Sequence, residues 1–172
     1  MMRGRYFKSG VRMSDKVKAQ EIFTEIIAYK GPYKYFHVDS MIHLVELLII
    51  ELKAFGHYEV FKEIMSLMEK LSEIATSQKY VEVLIHTQIM EAKLKIIELD
   101  FDTASDLLDS ALGTAKQTGL QKLTVTIEEE IREIRTNFKG LEKFFDANSN
   151  YGERLEKMEI QDYLQKVRNI VE

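Results

Sequence analysis

Cysteine and tryptophan are absent from this 172-residue chain, and proline occurs once. Without cysteine there is no disulfide framework, no thiolate metal site and no cysteine nucleophile. The absence also points weakly to a reducing compartment. No glycine loop that would cradle a phosphate, no zinc motif and no nucleophile beside its base is found. The longest apolar stretch, residues 42–55, is interrupted by His43, Glu46, Glu51 and Lys53 and is too short to span a bilayer. Net charge is −4, yet Arg3, Arg5, Lys8 and Arg12 place +4 in an acid-free first twelve residues, leaving −8 for the remainder. A uniformly basic nucleic-acid footprint is therefore missing, and the basic start, with no apolar run behind it, is not a signal peptide. The expectation is a cytoplasmic protein with no cofactor and no nucleic-acid or membrane partner.

What remains is rich in Glu, Lys, Leu and Ile, with 30% charged residues, a helical composition with almost no strand expected. A chain of this length forms one domain or one short array, able to bury about 70% of its unfolded surface. Residues 98–119 organise the rest. Ala104, Leu108 and Ala111 stand at i, i+4 and i+7, on one face of a helix that starts near Asp102 and stops at Gly119. Two of the three are small, so a neighbouring helix can approach closely. Ala19, Phe23 and Ile26 repeat the spacing, as do Phe61, Met65 and Met68, with first positions 42 and 43 residues apart. Such a period is the mark of a helical solenoid, whose units bury their apolar faces only by stacking.

Residues 1–13, broken by Gly4 and Gly10, read as a poorly patterned arm or partial helix. Ser14 opens a helix over 14–30 that Gly31-Pro32 stops, and an aromatic linker with Tyr33, Tyr35 and Phe36 leads to Asp39 or Ser40 as the next N-cap. Residues 40–55 are apolar nearly all round, which suits the centre of a core. With the helix that follows Gly56 they make a unit over 40–76, and a second unit spans 78–119. Leu120, Leu123, Ile127, Ile131, Ile134 and Phe138 form the core stripe of a closing helix over 120–146, which Leu141, Phe144 and Phe145 extend. Asn150 and Glu153 form an N-x-x-E start for a last helix over 150–165, folding back as a cap; residues 166–172 read as a tail.

Residues 89–120 resemble the tetratricopeptide repeat family in its long-period archaeal and bacterial form. Ala92 stands for the small residue of the first helix, Asp100 and Phe101 for the turn, and Ala104, Leu108 and Ala111 for the second-helix signature. In residues 40–76, Gly56 and Tyr58 fit the turn, whereas Ile49, Phe61 and Met68 replace small residues, which implies wider helix spacing. The helix over 14–30 looks like the second half of a repeat, and the chain looks like a short member or carboxy-terminal part of a longer repeat protein. The resemblance covers about residues 14–165. It implies an all-α, antiparallel helix-pair solenoid of about seven helices that binds a protein or peptide and performs no chemistry.

In this family the first helices of the units line a concave groove. The equivalent positions here are His43, Glu46, Ile50 and Lys53, then His86, Ile89, Lys93 and Ile96 or Ile97. His43 and His86 fall 43 residues apart, giving a polar ladder with apolar gaps; ordinary half-buried helix positions would look the same. The rival classes are a regulatory segment of a larger signalling or transcription protein, and a small metal-binding bundle using His43 with Glu46 and Glu82 with His86. The bundle requires E-x-x-H on two helices. Here one pair is reversed and the other is wrongly spaced. Met65 and Met68 at signature spacing read as core, and the charges over 128–135 as a solvated face. Ile22, Phe23, Ile26 and Ile27 require a cover, expected from the aromatic linker or from a second copy in a homodimer.

Overall fold

The computed structural model describes residues 1–10, 12–29, 34–119, 121–144, 149–156, 158 and 160–171. Among them are nine helices and no strand: α1 (Met2–Lys8), α2 (Met13–Ala28), α3 (Lys34–Phe55), α4 (Tyr58–Gln78), α5 (Val81–Ile97), α6 (Phe101–Gln117), α7 (Gln121–Phe144), α8 (Tyr151–Glu156) and α9 (Ile160–Val171). The chain is all-α. Nine helices stand where about seven were expected, because the amino-terminal arm is helical and the last helix is divided into α8 and α9.

Local signals set most boundaries. The Asp100 side chain accepts from the Thr103 backbone N–H at 3.2 Å and so caps α6. Gly56, at φ +67°, ends α3 in the left-handed conformation that glycine adopts without strain. Asn150 and Glu153 form the reciprocal capping box: Asn150 Oδ1 accepts from the Glu153 N–H at 3.0 Å, and Glu153 Oε2 from the Asn150 N–H at 3.1 Å.

Two boundaries differ from expectation for tertiary reasons. Neither Asp39 nor Ser40 caps α3, which already begins at Lys34. The Asp39 carboxylate is instead taken by the Arg5 guanidinium at 2.7 Å, and both Asp39 and Ser40 are fully buried inside the helix. Residues 166–171 are not a tail either, since they continue α9 and bury Val167 completely.

From α1 to α7 each helix packs on the next, and α5 with α6 forms the most extensive pair. Small residues explain that pair: Ala92 of α5 and Ala104, Ala111 and Ala115 of α6 are fully buried, so the two backbones come close. Along α4, Phe61, Ile64, Met68 and Leu71 are buried and Met65 half-buried, placing larger side chains between α3 and α5. On α7, Ile127, Ile131 and Ile134 are buried and Leu123 half-buried; Leu120, Phe145 and the side chains of Phe138, Leu141 and Phe144 lie outside the described residues, as do Tyr33 and the side chain of Tyr35. The charges of this region pair on the surface, Glu128 with Lys116 at 2.9 Å and Arg135 with Asp109 at 2.7 Å.

Part of the cover for the 22–27 face comes from α1. Phe23 is fully buried, and a Cβ on Gly4 would meet its ring at 2.8 Å and Ile22 at 3.2 Å. Ile26 and Ile27 remain half-buried. Arg5 and Lys8 hold α1 down by bonding α3, a contact the composition of residues 1–13 does not announce.

After α7 the chain returns to its own centre, and α8 and α9 pack on both α3 and α5. Three contacts seat α8. The Tyr151 ring packs on Phe61 and Tyr58, with centroids 4.8 and 5.1 Å apart. Arg154 donates to the Ile97 carbonyl at 3.0 Å, satisfying an orphan acceptor at the end of α5. Gly152 lets its backbone touch α3, where a Cβ would lie 2.5 Å from the Leu52 carbonyl oxygen. Because that neighbour is backbone, Gly152→Ala is expected to destabilise the fold by about 1–3 kcal/mol, read as a lower urea midpoint. An unchanged midpoint would show that α8 is not seated there.

Candidate functional site

Asp39, His43 and Glu46 stand at i, i+4 and i+7 on α3 and share one face. Over that face lie Arg5 and Lys8 from α1 and Arg168 from α9. Arg5 bonds Asp39. The Lys8 ammonium bonds the Glu46 carboxylate and approaches His43 Nδ1 at 2.8 Å. Arg168 reaches the other oxygen of Glu46 at 3.4 Å. Glu46 is thus shared by helices from the two ends of the described chain.

His43 sits within this cluster with its ring 5.1 Å from that of Phe23 and only 4% of its surface exposed. His43 Nδ1 lies 2.8 Å from the Lys8 ammonium and 3.2 Å from Glu46 Oε2, and Nε2 lies 3.7 Å from Asp39 Oδ2, so the imidazole sits between one cation and two carboxylates. Three cations meet two carboxylates, so a fourth positive charge is disfavoured. Burial first, then Lys8, Arg5 and Arg168, holds the His43 pKa down at about 3. Burial and the neighbouring Arg168 lower Lys8 to about 8.

The second half of the sequence-derived groove lies on α5. His86, Ile89, Lys93 and Ile96 are buried, and so is Ile97. His86 lies within electrostatic reach of Lys166 on α9, and burial chiefly, with Lys166, lowers its pKa to about 4. On α3, Glu46 and Ile50 are half-buried and Lys53 is exposed, its Cα 3.1 Å from where a Gly152 Cβ would stand. The structure therefore joins Glu46 and His43 in one polar cluster, sets His86 near α9, and leaves Lys53 at the rim beside α8. Among the described residues, no group of three or more His, Asp or Glu side chains is arranged to hold a metal ion. The cation between His43 and Glu46 is the Lys8 ammonium. Comparison with family models, with curated proteins and with solved structures gives no match to this chain. The reading of the site rests on its own geometry.

Sequence reasoning missed Arg5, Lys8, Asp39 and Arg168. Arg5 and Lys8 are spaced three apart in an acid-free stretch, the one signal that a helix face was seeking carboxylates. It also missed Glu91 on α5, which is 8% exposed, has Oε1 without a hydrogen-bond partner and lies beside Ser72 and Glu69 of α4. Burial raises its pKa to about 7.

These groups give opposed pH dependences. His43 and His86 stay neutral in the fold but take up protons near 6.5 when unfolded. Their contribution is present above pH 6.5 and is lost as pH falls towards 4 and 3. Glu91 acts oppositely, its contribution being complete below 4.5 and lost as pH rises through about 7. Two histidines outweigh one carboxyl, so acidification from pH 7 to 5 is expected to lower the unfolding free energy by roughly 1–2 kcal/mol. Glu91→Gln removes the opposing contribution and is expected to stabilise by about 1–3 kcal/mol at pH 7.5 but far less at pH 5. Urea titrations at both pH values measure this, and identical profiles for variant and parent would refute the assignment.

Proposed function

We propose that this chain is a non-enzymatic scaffold of tetratricopeptide-repeat type that binds a protein or peptide in the cytoplasm. The observation that carries the reading is the extensive α5–α6 pair, in which Ala92 and the signature Ala104, Leu108 and Ala111 are all fully buried. That is the close approach the repeat spacing calls for, and α3–α4 forms a looser unit before it. The α3 charge cluster supports a binding role over a chemical one, because its acids are met by Arg5, Lys8 and Arg168 of the same chain. No described helix is long and apolar enough to cross a membrane.

A regulatory segment of a larger protein is the second reading. It is favoured by the return of α8 and α9 over the faces of α3 and α5 that would meet a partner. Of the residues expected to support homodimerisation, Phe23 is buried while Ile22, Ile26 and Ile27 are half-buried, and Ile26 lines a cleft of about 380 Å³ with Met1, Tyr29 and Phe36.

The test is capture of a partner by the immobilised full chain, followed by calorimetry with the purified partner. One-to-one binding is expected, and the exposed substitution Lys53→Glu is expected to weaken it at least tenfold, about 1.4 kcal/mol. Failure of every captured protein to bind once purified would remove the proposal.

A further inference from the structure

The end of α2, the beginning of α3 and Met1 before α1 enclose a cleft of about 380 Å³, a size within the range of small-molecule sites. Its described lining is Met1, Glu25, Ile26, Tyr29, Phe36 and His37, none of which belongs to the groove derived from the sequence. Ile26 and Met1 are half-buried, and the Met1 thioether receives the buried Ser40 hydroxyl at 3.7 Å. Tyr29 and Phe36, by contrast, keep 66% and 42% of their surface exposed. The inner part of the cleft is therefore aliphatic and thioether, and its rim carries two aromatic rings. Glu25 is the one carboxylate of the described lining, which holds neither lysine nor arginine. Among the described residues its carboxylate has no ion pair or hydrogen bond.

We propose that this cleft is a binding site for a small organic cation, an ammonium group carried on an apolar body. The body lies against Ile26 and the Met1 thioether, whose polarizable sulfur adapts to irregular shapes. The ammonium stands between the Glu25 carboxylate and the rings of Tyr29 and Phe36, since an aromatic face attracts a cation through its quadrupole. Charge selects the ligand. An anion of the same shape meets Glu25 with no described cation in the lining to offset it. A second copy of the chain is disfavoured on the same ground, because a twofold contact centred on the cleft sets each patch against itself and brings Glu25 towards Glu25. The site is independent of the scaffold reading, as it needs no protein partner.

The experiment titrates the full chain with benzyltrimethylammonium at pH 8 and fixed ionic strength, read by calorimetry and by amide chemical shifts. Phenylacetate, which presents the same ring with the opposite charge, is the comparison. Saturable one-to-one binding of the cation is expected, with Kd of about 1 mM or tighter, shifts concentrated in residues 25–29 and 36–37, and at least tenfold weaker binding of phenylacetate. Glu25→Gln and Tyr29→Ala are each expected to weaken the cation at least threefold, whereas Tyr29→Phe keeps the ring and leaves affinity within about twofold. Glu25→Lys is expected to reverse the order, so that phenylacetate binds more tightly than the cation. Glu25 and Tyr29 are both exposed, and the near-isosteric Glu25→Gln and Tyr29→Phe keep the comparison open whatever the larger changes do to the fold. Absence of saturable binding, or equal affinity for the two probes, overturns the proposal. So does affinity indifferent to Glu25 and Tyr29, which would be apolar adhesion only. Shifts in the same residues on concentrating the ligand-free chain, with a doubled light-scattering mass, overturn it too, because the cleft is then a contact between copies.

Discussion

A helix without a polar side governs this architecture. In α5 every residue from Ile85 to Leu94 except Gln88 is buried, so no orientation on a single neighbour can hide it. It is surrounded by α4, α6, α8 and α9. The first two are its neighbours in sequence. The other two must be brought back from beyond α7, and that need makes the carboxy-terminal helices return. The same requirement acts on α3, which is covered by α2, α4, α8 and α9. Two buried rods thus share three covering helices, α4, α8 and α9.

Charge sets how the covers are aligned. A helix laid on an apolar surface can slide or reverse at little cost, whereas ion pairs at half-buried positions specify one arrangement. Glu46 does this for α1 and α9 together, and Asp39 adds a second anchor for α1. The price is that His43, His86 and Lys8 are held away from the protonation behaviour they show in water. Such an arrangement is tolerable within a fold because the imidazoles can simply stay neutral.

Legibility in the sequence followed the range of the interactions. The Ala104, Leu108, Ala111 face, the stop at Gly56 and the Asn150–Glu153 capping box are encoded within a turn or two of helix, and each stands where the pattern put it. Asp39 shows where local reasoning fails. Its residue type and position suit an N-cap, but Arg5, 34 residues away, offers a stronger partner. Of the candidate groove, the periodicity placed the residues on two helices, α3 and α5. It did not show that α9 lies on them, because Arg168 and Glu46 are related by no local spacing. Nor could composition reveal that the short, glycine-bearing α1 seals Phe23, a fit that depends on Gly4 having no side chain.

The 122-residue separation of Glu46 from Arg168 has a consequence for synthesis. Lys8 has already been made when Glu46 emerges from the ribosome, but Arg168 has not. At about 5–20 residues per second, the α3 surface waits on the order of 6–24 s for its last cover. During that interval the nascent chain displays α3, and later α5, with one flank bare. The two most buried helices are therefore made well before residues 160–171, so their burial is completed only after those residues have followed.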